Sequence, residues 1–295
     1  MRITDGVLSG GRHSSDFYDV ISLEHLLCAW RKFSKGKRTD SEVAKFELCL
    51  EENLFSLHER LAQGVWTNDP YRRQPVADLK PRVIHIPSVR DRVLFQAVYQ
   101  ALYQIFDKTF IHDSYASGKC KGTHTGVNRF ETFAQKVSAN HTKPAFVLKC
   151  DIKKFFANIY LNELDQFVKH KLKVRYYIRY CDDFVILDNS HKQLLSHISA
   201  LRAFLNEKLL LELHPSKVTI RKLHQGTDFL GYVSLPHYRV LRTKTKQRML
   251  ARVSEKNVAS YLGMLSHCCS HNLTKKILAG YTKAVQHHAI HTIYY

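Results

Sequence analysis

The sequence predicts an α+β fold built on a small split βαβ unit, with helical segments before and after it. Three observations predict this. Residues 145–223 read as β-α-β-β-α-β, an order in which consecutive elements pack as two layers. Apolar residues recur at helical spacing on both sides of that stretch. At 295 residues with 44% hydrophobic and 11% aromatic content, the chain is long and apolar enough for more than one core.

Residues 21–38 read as a short helix running into a basic stretch. A longer helix is expected from Asp40, with Val43, Phe46, Leu50, Leu54, Leu57 and Leu61 on one face and Gly64 as its stop. Asn68-Asp69-Pro70 breaks the chain, and "RVIHIP" (82–87) alternates as a strand does. A helix over 89–107 follows, with Leu94, Val98, Ala101 and Ile105 aligned, then a Gly/Ser/Lys loop at 114–126 and a helix over 127–139.

The split unit opens with "AFVLKCDI" (145–152), a buried strand ending in an acid. A helix over 162–172 carries Leu161, Leu164, Val168 and Leu172 in line. "YYIRYCDDFVILDN" (176–189) reads strand, tight turn, strand. Ser190 caps a helix striped by Leu194, Ile198, Leu201, Leu205 and Leu209. "KVTIRKL" (217–223) and "DFLGYVSLP" (228–236) are each expected as one strand, and the remaining tail is helical and basic.

Forty-five Lys and Arg against 26 Asp and Glu give +19, which points to a polyanionic partner, nucleic acid before an acidic membrane surface. No apolar run approaches the ~20 residues of a membrane span, and the N-terminal residues lack a signal-peptide core. No membrane association is therefore expected. Seven cysteines without a C-x-x-C pair fit reduced thiols in a cytoplasm. "SHCCSHN" (His267, Cys268, Cys269, His271) is the one cluster to weigh as a metal site. Adjacent cysteines rarely chelate one tetrahedral zinc, so ordinary packing is expected there.

Three carboxylates share a plausible address. Asp151 ends the first strand of the unit, and Asp182 and Asp183 lie at the hairpin between its second and third strands. First and third strands are neighbours in a split βαβ sheet, so the acids are expected to converge. Like charges at close range repel unless protonated or neutralised. Mg²⁺ neutralises them, using one or two carboxylates plus substrate phosphates, and two such ions suit in-line phosphoryl displacement.

On these residues the chain resembles reverse transcriptases of the bacterial retroelement type. "LKCDIKKFF" and "YCDD" look like the family's catalytic motifs, and "KPRVIHIPSVRDRVLFQAV", "SYASGKCKGTH", "LELHPSKVTI", "GTDFLGYV" and "SYLGMLSHC" follow its order across about residues 43–270. The short enzymes of diversity-generating retroelements are the nearest in appearance. The resemblance implies a right-hand polymerase: an N-terminal helical extension (1–40), mainly helical fingers (41–144), a ferredoxin-like palm (145–236) and a short helical thumb (237–295).

It implies roles as well. Asp151, Asp182 and Asp183 would hold two Mg²⁺, with Mn²⁺ as a substitute, and Tyr180 would support the primer end. Lys80 and Arg82 would grip the incoming dNTP, a solvated basic edge being the plainer alternative. Phe156 would exclude a ribose 2′-hydroxyl, or else simply pack in the core. Lys217 would protonate the leaving pyrophosphate, or else is a solvated strand lysine. Phe229, Leu230, Gly231 and Tyr232 match the primer grip. Arg239, Arg242, Lys244, Lys246 and Arg248 suit a duplex backbone, or form a merely solvated basic face. Implied partners are an RNA template, a DNA or RNA primer and a small basic accessory protein.

One departure stands against the matches. In the family, several dozen residues, including a Gly-Pro-Gly stretch ending in Ser-Gln, separate "DIKKFF" from the next helix. Here "DIKKFF" runs directly into "ANIYLNELDQFVKH", as if a segment were cut out at Phe156/Ala157. Residues 157–174 remain for the crossover, above the ~12 a parallel connection needs. Two rival readings follow: an internally deleted relative that only binds nucleic acid, and a metal-dependent nuclease using the same acids.

Overall fold

The computed structural model of the chain describes residues 17–76, 82–116, 118, 120–153 and 159–293. The fold is mixed α+β with small antiparallel sheets, and it divides into two units between Thr109 and Phe110.

In the first unit, α1 (Phe17–Ile21) leads into α2 (Leu23–Ser34), whose start is capped by the Ser22 hydroxyl accepting from the His25 N–H. The helix expected from Asp40 is two helices, α3 (Ser41–Leu48) and α4 (Leu50–Ala62). Cys49 leaves helical geometry at φ −118°, ψ 41°, and the Asn53 side-chain amide bridges the break by donating to the Phe46 carbonyl at 3.0 Å. The apolar stripe survives the break, because Val43, Leu54, Leu57 and Leu61 all reach one core with Trp30 and Leu26.

Strands β1 (Arg72–Val76) and β2 (Arg82–Ile86) pair antiparallel. The polar sequence of β1 hides it from a hydrophobicity reading, and its Pro75 is tolerated in a ribbon that has edges only. Helix α5 (Val89–Phe106), capped by Ser88, closes the core through Val89, Val93, Leu94 and Ala97.

The second unit begins its regular structure with α6 (Thr123–Val137) and β3 (Phe146–Asp151). Helix α7 (Asn162–Gln166) widens into a π-turn at Phe167–Lys171 where one continuous α-helix was expected. Then come β4 (Tyr177–Tyr180), β5 (Asp183–Asp188), α8 (His191–Leu209) and β6 (Thr219–Lys222). The sheet order is β4-β5-β3-β6, antiparallel throughout. Thus β3 and β4 run parallel, joined through α7, with β5 inserted between them.

Strand alternation gives this sheet two faces. Leu148, Cys150, Phe184 and Ile186 pack beneath Leu161, Leu164 and Val168 of the crossover and Leu194, Leu201 and Leu205 of α8. Val147, Ile178, Val185 and Leu187 face the other way, against Phe130 and Phe133 of α6. Leu161, Leu164 and Val168 thus cover this face of the sheet together with α8. Leu164→Ala is expected to cost ~2–5 kcal/mol, as for a fully buried leucine, and a urea melt checks it.

"DFLGYVSLP" is a hairpin, not one strand. β7 (Thr227–Phe229) and β8 (Tyr232–Ser234) are joined by Leu230 at φ 51° and Gly231 at φ 89°, and β9 (Arg239–Leu241) completes a three-stranded meander. Two successive left-handed residues are what a two-residue hairpin turn requires, and glycine supplies the second without strain. Helices α9 (Thr243–Arg252), α10 (Glu255–Leu265) and α11 (His271–Ile293) follow, with Met249, Leu265 and Ile277 meeting Tyr232 and Val127 in a separate core. Among the described residues no helix is long and apolar enough to cross a membrane.

Candidate active site

The strand register brings the acids together. Asp151, last in β3, stands directly opposite Asp183, first in β5, and Tyr180 of β4 opposes Asp183 from the other side. Asp182 lies in the two-residue turn between β4 and β5, pinned to the end of β3 by the Ile152 N–H donating to its carbonyl at 3.0 Å. Cross-strand partners share a face, so Asp151, Asp183 and Tyr180 project from the face that α6 covers only in part.

Lys217 joins this group. Its ammonium donates to both Asp151 carboxylate oxygens, at 2.9 and 2.8 Å. It precedes β6 and does not belong to it; the segment folds back through His214, whose N–H donates to the Asp151 carbonyl at 2.7 Å. The Asp151 side chain is 11% exposed and that of Lys217 is 52% exposed, so a buried acid is met by a cation open to solvent.

Burial raises the Asp183 carboxyl above its ordinary range; nearby Lys149 opposes the shift, while Asp151 and Asp182 add to it. Asp182 is likewise raised, by burial first and by the Asp151 charge, against backbone N–H groups and Lys217 that favour ionisation. Lys149 is a residue that the sequence reading missed. It stands two positions before Asp151, hence on the same face of β3, and its ammonium donates to the Asp228 carbonyl at 3.0 Å, tying the β7–β8 hairpin to the strand. The spacing Lys-x-Asp at the end of a strand was the available signal.

The turn itself is strained. Cys181 adopts φ 52°, which costs a non-glycine residue ~1 kcal/mol or more unless its surroundings hold it. On the opposite face of the sheet, Arg179 and Asp165 form a wholly buried bidentate ion pair, Nε to Oδ1 at 2.8 Å and Nη2 to Oδ2 at 2.7 Å. Burial opposes the Arg179 charge, but Asp165 outweighs it and holds the guanidinium protonated above its ordinary range.

The primer-grip candidates divide. Phe229 and Tyr232 are core residues, the first against Phe130 at 5.9 Å between ring centroids, the second with its hydroxyl donating to the Met264 carbonyl at 3.1 Å. Leu230 and Gly231 form the turn. Of the basic group, Arg239 pairs with Glu131 and Arg242 with Asp228, so both serve internal contacts, while Lys244 on α9 is exposed. In the cysteine-histidine cluster, His267 stacks on His124 at 3.9 Å. Lys80 and Phe156 lie outside the described residues, as does the Phe156/Ala157 junction, and Arg82 opens β2 of the first unit.

Among the described residues no three His, Cys, Asp or Glu side chains already stand in a chelating arrangement. The donor chemistry nevertheless fits a hard divalent cation, since two carboxylates raised by burial and by the Asp151 charge gain most from one. The raised values have a consequence for stability. The folded chain binds protons to Asp182 and Asp183 more tightly than the unfolded chain, so these groups favour folding below the ordinary carboxylate range. That contribution is lost as pH rises through their raised values. Compared with wild type, Asp182→Asn is expected to melt higher at pH 7, with the gap closing towards pH 3. Thermal melts across that range check it.

No protein-family model matches the chain, and no curated protein matches it.

Proposed function

We propose that this chain is an RNA-directed DNA polymerase of the retroelement reverse transcriptase family, extending a DNA or RNA primer on an RNA template with dNTPs. One observation carries the reading: Asp151 and Asp183 face each other on adjoining strands, with Asp182 in the intervening turn and Lys217 on Asp151. The β4-β5-β3-β6 order supports the reading, since it is the strand order of a split βαβ unit and a ferredoxin-like palm would have it. Residues 41–144, 145–236 and 237–295 are read as fingers, palm and thumb, after an N-terminal extension.

Asp151, Asp182 and Asp183 would hold two Mg²⁺ or Mn²⁺, which when bound supply charge neutralisation at the attacking and leaving oxygens. The residues do the rest. The rigid strand ends fix the spacing of the acids, and the exposed Lys217 ammonium can leave Asp151 and deliver a proton to departing pyrophosphate. Tyr180, half-buried beside Asp183, offers a ring against the primer end. The Leu230–Gly231 turn would supply the backbone of the primer grip. The net charge of +19 suits a nucleic-acid duplex, and the short-chain retroelement subtype carries with it a small basic accessory protein as partner.

Primed RNA template, dNTPs and Mg²⁺ or Mn²⁺ test the proposal: templated extension supports it, and none from a folded chain overturns it. The abrupt passage from "DIKKFF" to "ANIYLNELDQFVKH" favours a second reading, a shortened relative that binds nucleic acid without synthesis. Salt-dependent RNA binding with no extension is its signature.

A further inference from the structure

We propose that Asp165 and Arg179 are positioning residues for the Cys181–Asp182 turn; the inference rests on reading that turn as part of the active site. Both side chains are fully buried on the face of the sheet covered by the crossover and α8, away from the acids. Two guanidinium nitrogens are taken by Asp165, and Nη1 donates to the Cys181 carbonyl at 3.1 Å. That carbonyl belongs to the residue with left-handed backbone, immediately before Asp182. The Tyr177 hydroxyl donates to Asp165 Oδ1 at 2.7 Å, fixing the carboxylate in turn.

The backbone of Arg179 is held as well. Its N–H donates to the Asp113 carbonyl at 3.0 Å, and its carbonyl accepts from the Tyr115 N–H at 2.9 Å. A fork-shaped, always-charged donor can grip a carboxylate and reach a carbonyl together, which a lysine cannot do. A buried ion pair by itself adds little stability over apolar residues of similar volume. What it adds here is a charge-assisted bond on a strained turn. Asp165 lies on the helix that follows the Phe156/Ala157 junction, so the shortened crossover still delivers its carboxylate to the site from beneath.

The test uses the full chain with Arg179→Met/Asp165→Leu, which replaces the pair by apolar side chains, and with Arg179→Lys, which keeps a charge opposite Asp165. Three readouts are taken: melting temperature, hydrogen exchange at the Ile152 amide that reports the Asp182 carbonyl, and Mn²⁺ affinity by electron paramagnetic resonance. The expected result for the double variant is an unchanged or raised melting temperature. Both variants are expected to show exchange at least about tenfold faster and Mn²⁺ affinity about tenfold weaker. Wild-type exchange and Mn²⁺ affinity in the folded double variant would overturn the proposal. A wild-type chain with a protected Ile152 amide that neither binds Mn²⁺ nor extends a primer overturns the active-site reading instead, and with it the purpose assigned to the turn.

Discussion

Asp183→Asn is expected to lower deoxynucleotide incorporation by about 10³-fold or more, while RNA binding and the fold are retained. The size follows from what the residue does under the proposed reading. Removing one carboxylate weakens a charge-neutralising site worth several kcal/mol at the transferring phosphoryl group, and ~4 kcal/mol is three decades in rate. Asparagine is nearly isosteric, so the Asp151–Asp183 strand pair stays intact. Burial and two neighbouring acids disfavour the Asp183 charge, so its removal relieves strain in the protein alone. Loss of synthesis without loss of stability is the signature of a group held for chemistry. Primer extension, RNA filter binding at two salt concentrations and a thermal melt distinguish the outcomes. Unchanged incorporation would remove Asp183 from the site, and loss of RNA binding with synthesis would mean a folding defect.

The parts of this arrangement legible in the sequence are those written in local runs and spacings. Apolar, aromatic and β-branched runs placed β3, β4 and β5, which are buried on both faces, and the leucine stripe of α8 ran to the residue at which the helix ends, because burial of one helix face demands that spacing. The adjacency of Asp151 and Asp183 also followed from topology alone. What was not legible depended on backbone events or on partners distant in sequence. The break at Cys49 leaves the apolar stripe in phase, so no gap marks it. The "DFLGY" hairpin was hidden because apolar residues flank both turn positions, and only Gly231 hinted at reversal. Arg179 is a charged residue within an otherwise apolar and aromatic strand. Nothing in the local sequence tells that Asp165, fourteen positions earlier, neutralises it.

That burial makes Asp165→Ala the most damaging single change expected for folding, at ~3–5 kcal/mol. Removing the carboxylate leaves a guanidinium at 0% exposure without the acid that holds two of its nitrogens, and leaves the Tyr177 hydroxyl without its 2.7 Å acceptor. Water cannot reach either group without opening the core formed by Leu164, Tyr177 and Phe184. The Arg179→Met/Asp165→Leu pair, in contrast, leaves no buried charge behind and is expected within about 1 kcal/mol of wild type or above it. Urea unfolding of the single and double variants therefore gives a non-additive cycle, in which the second substitution restores what the first removes. Equal losses that simply add would mean that Arg179 finds another partner or water when Asp165 is gone. The pair would then not be the closed, desolvated unit that its geometry describes.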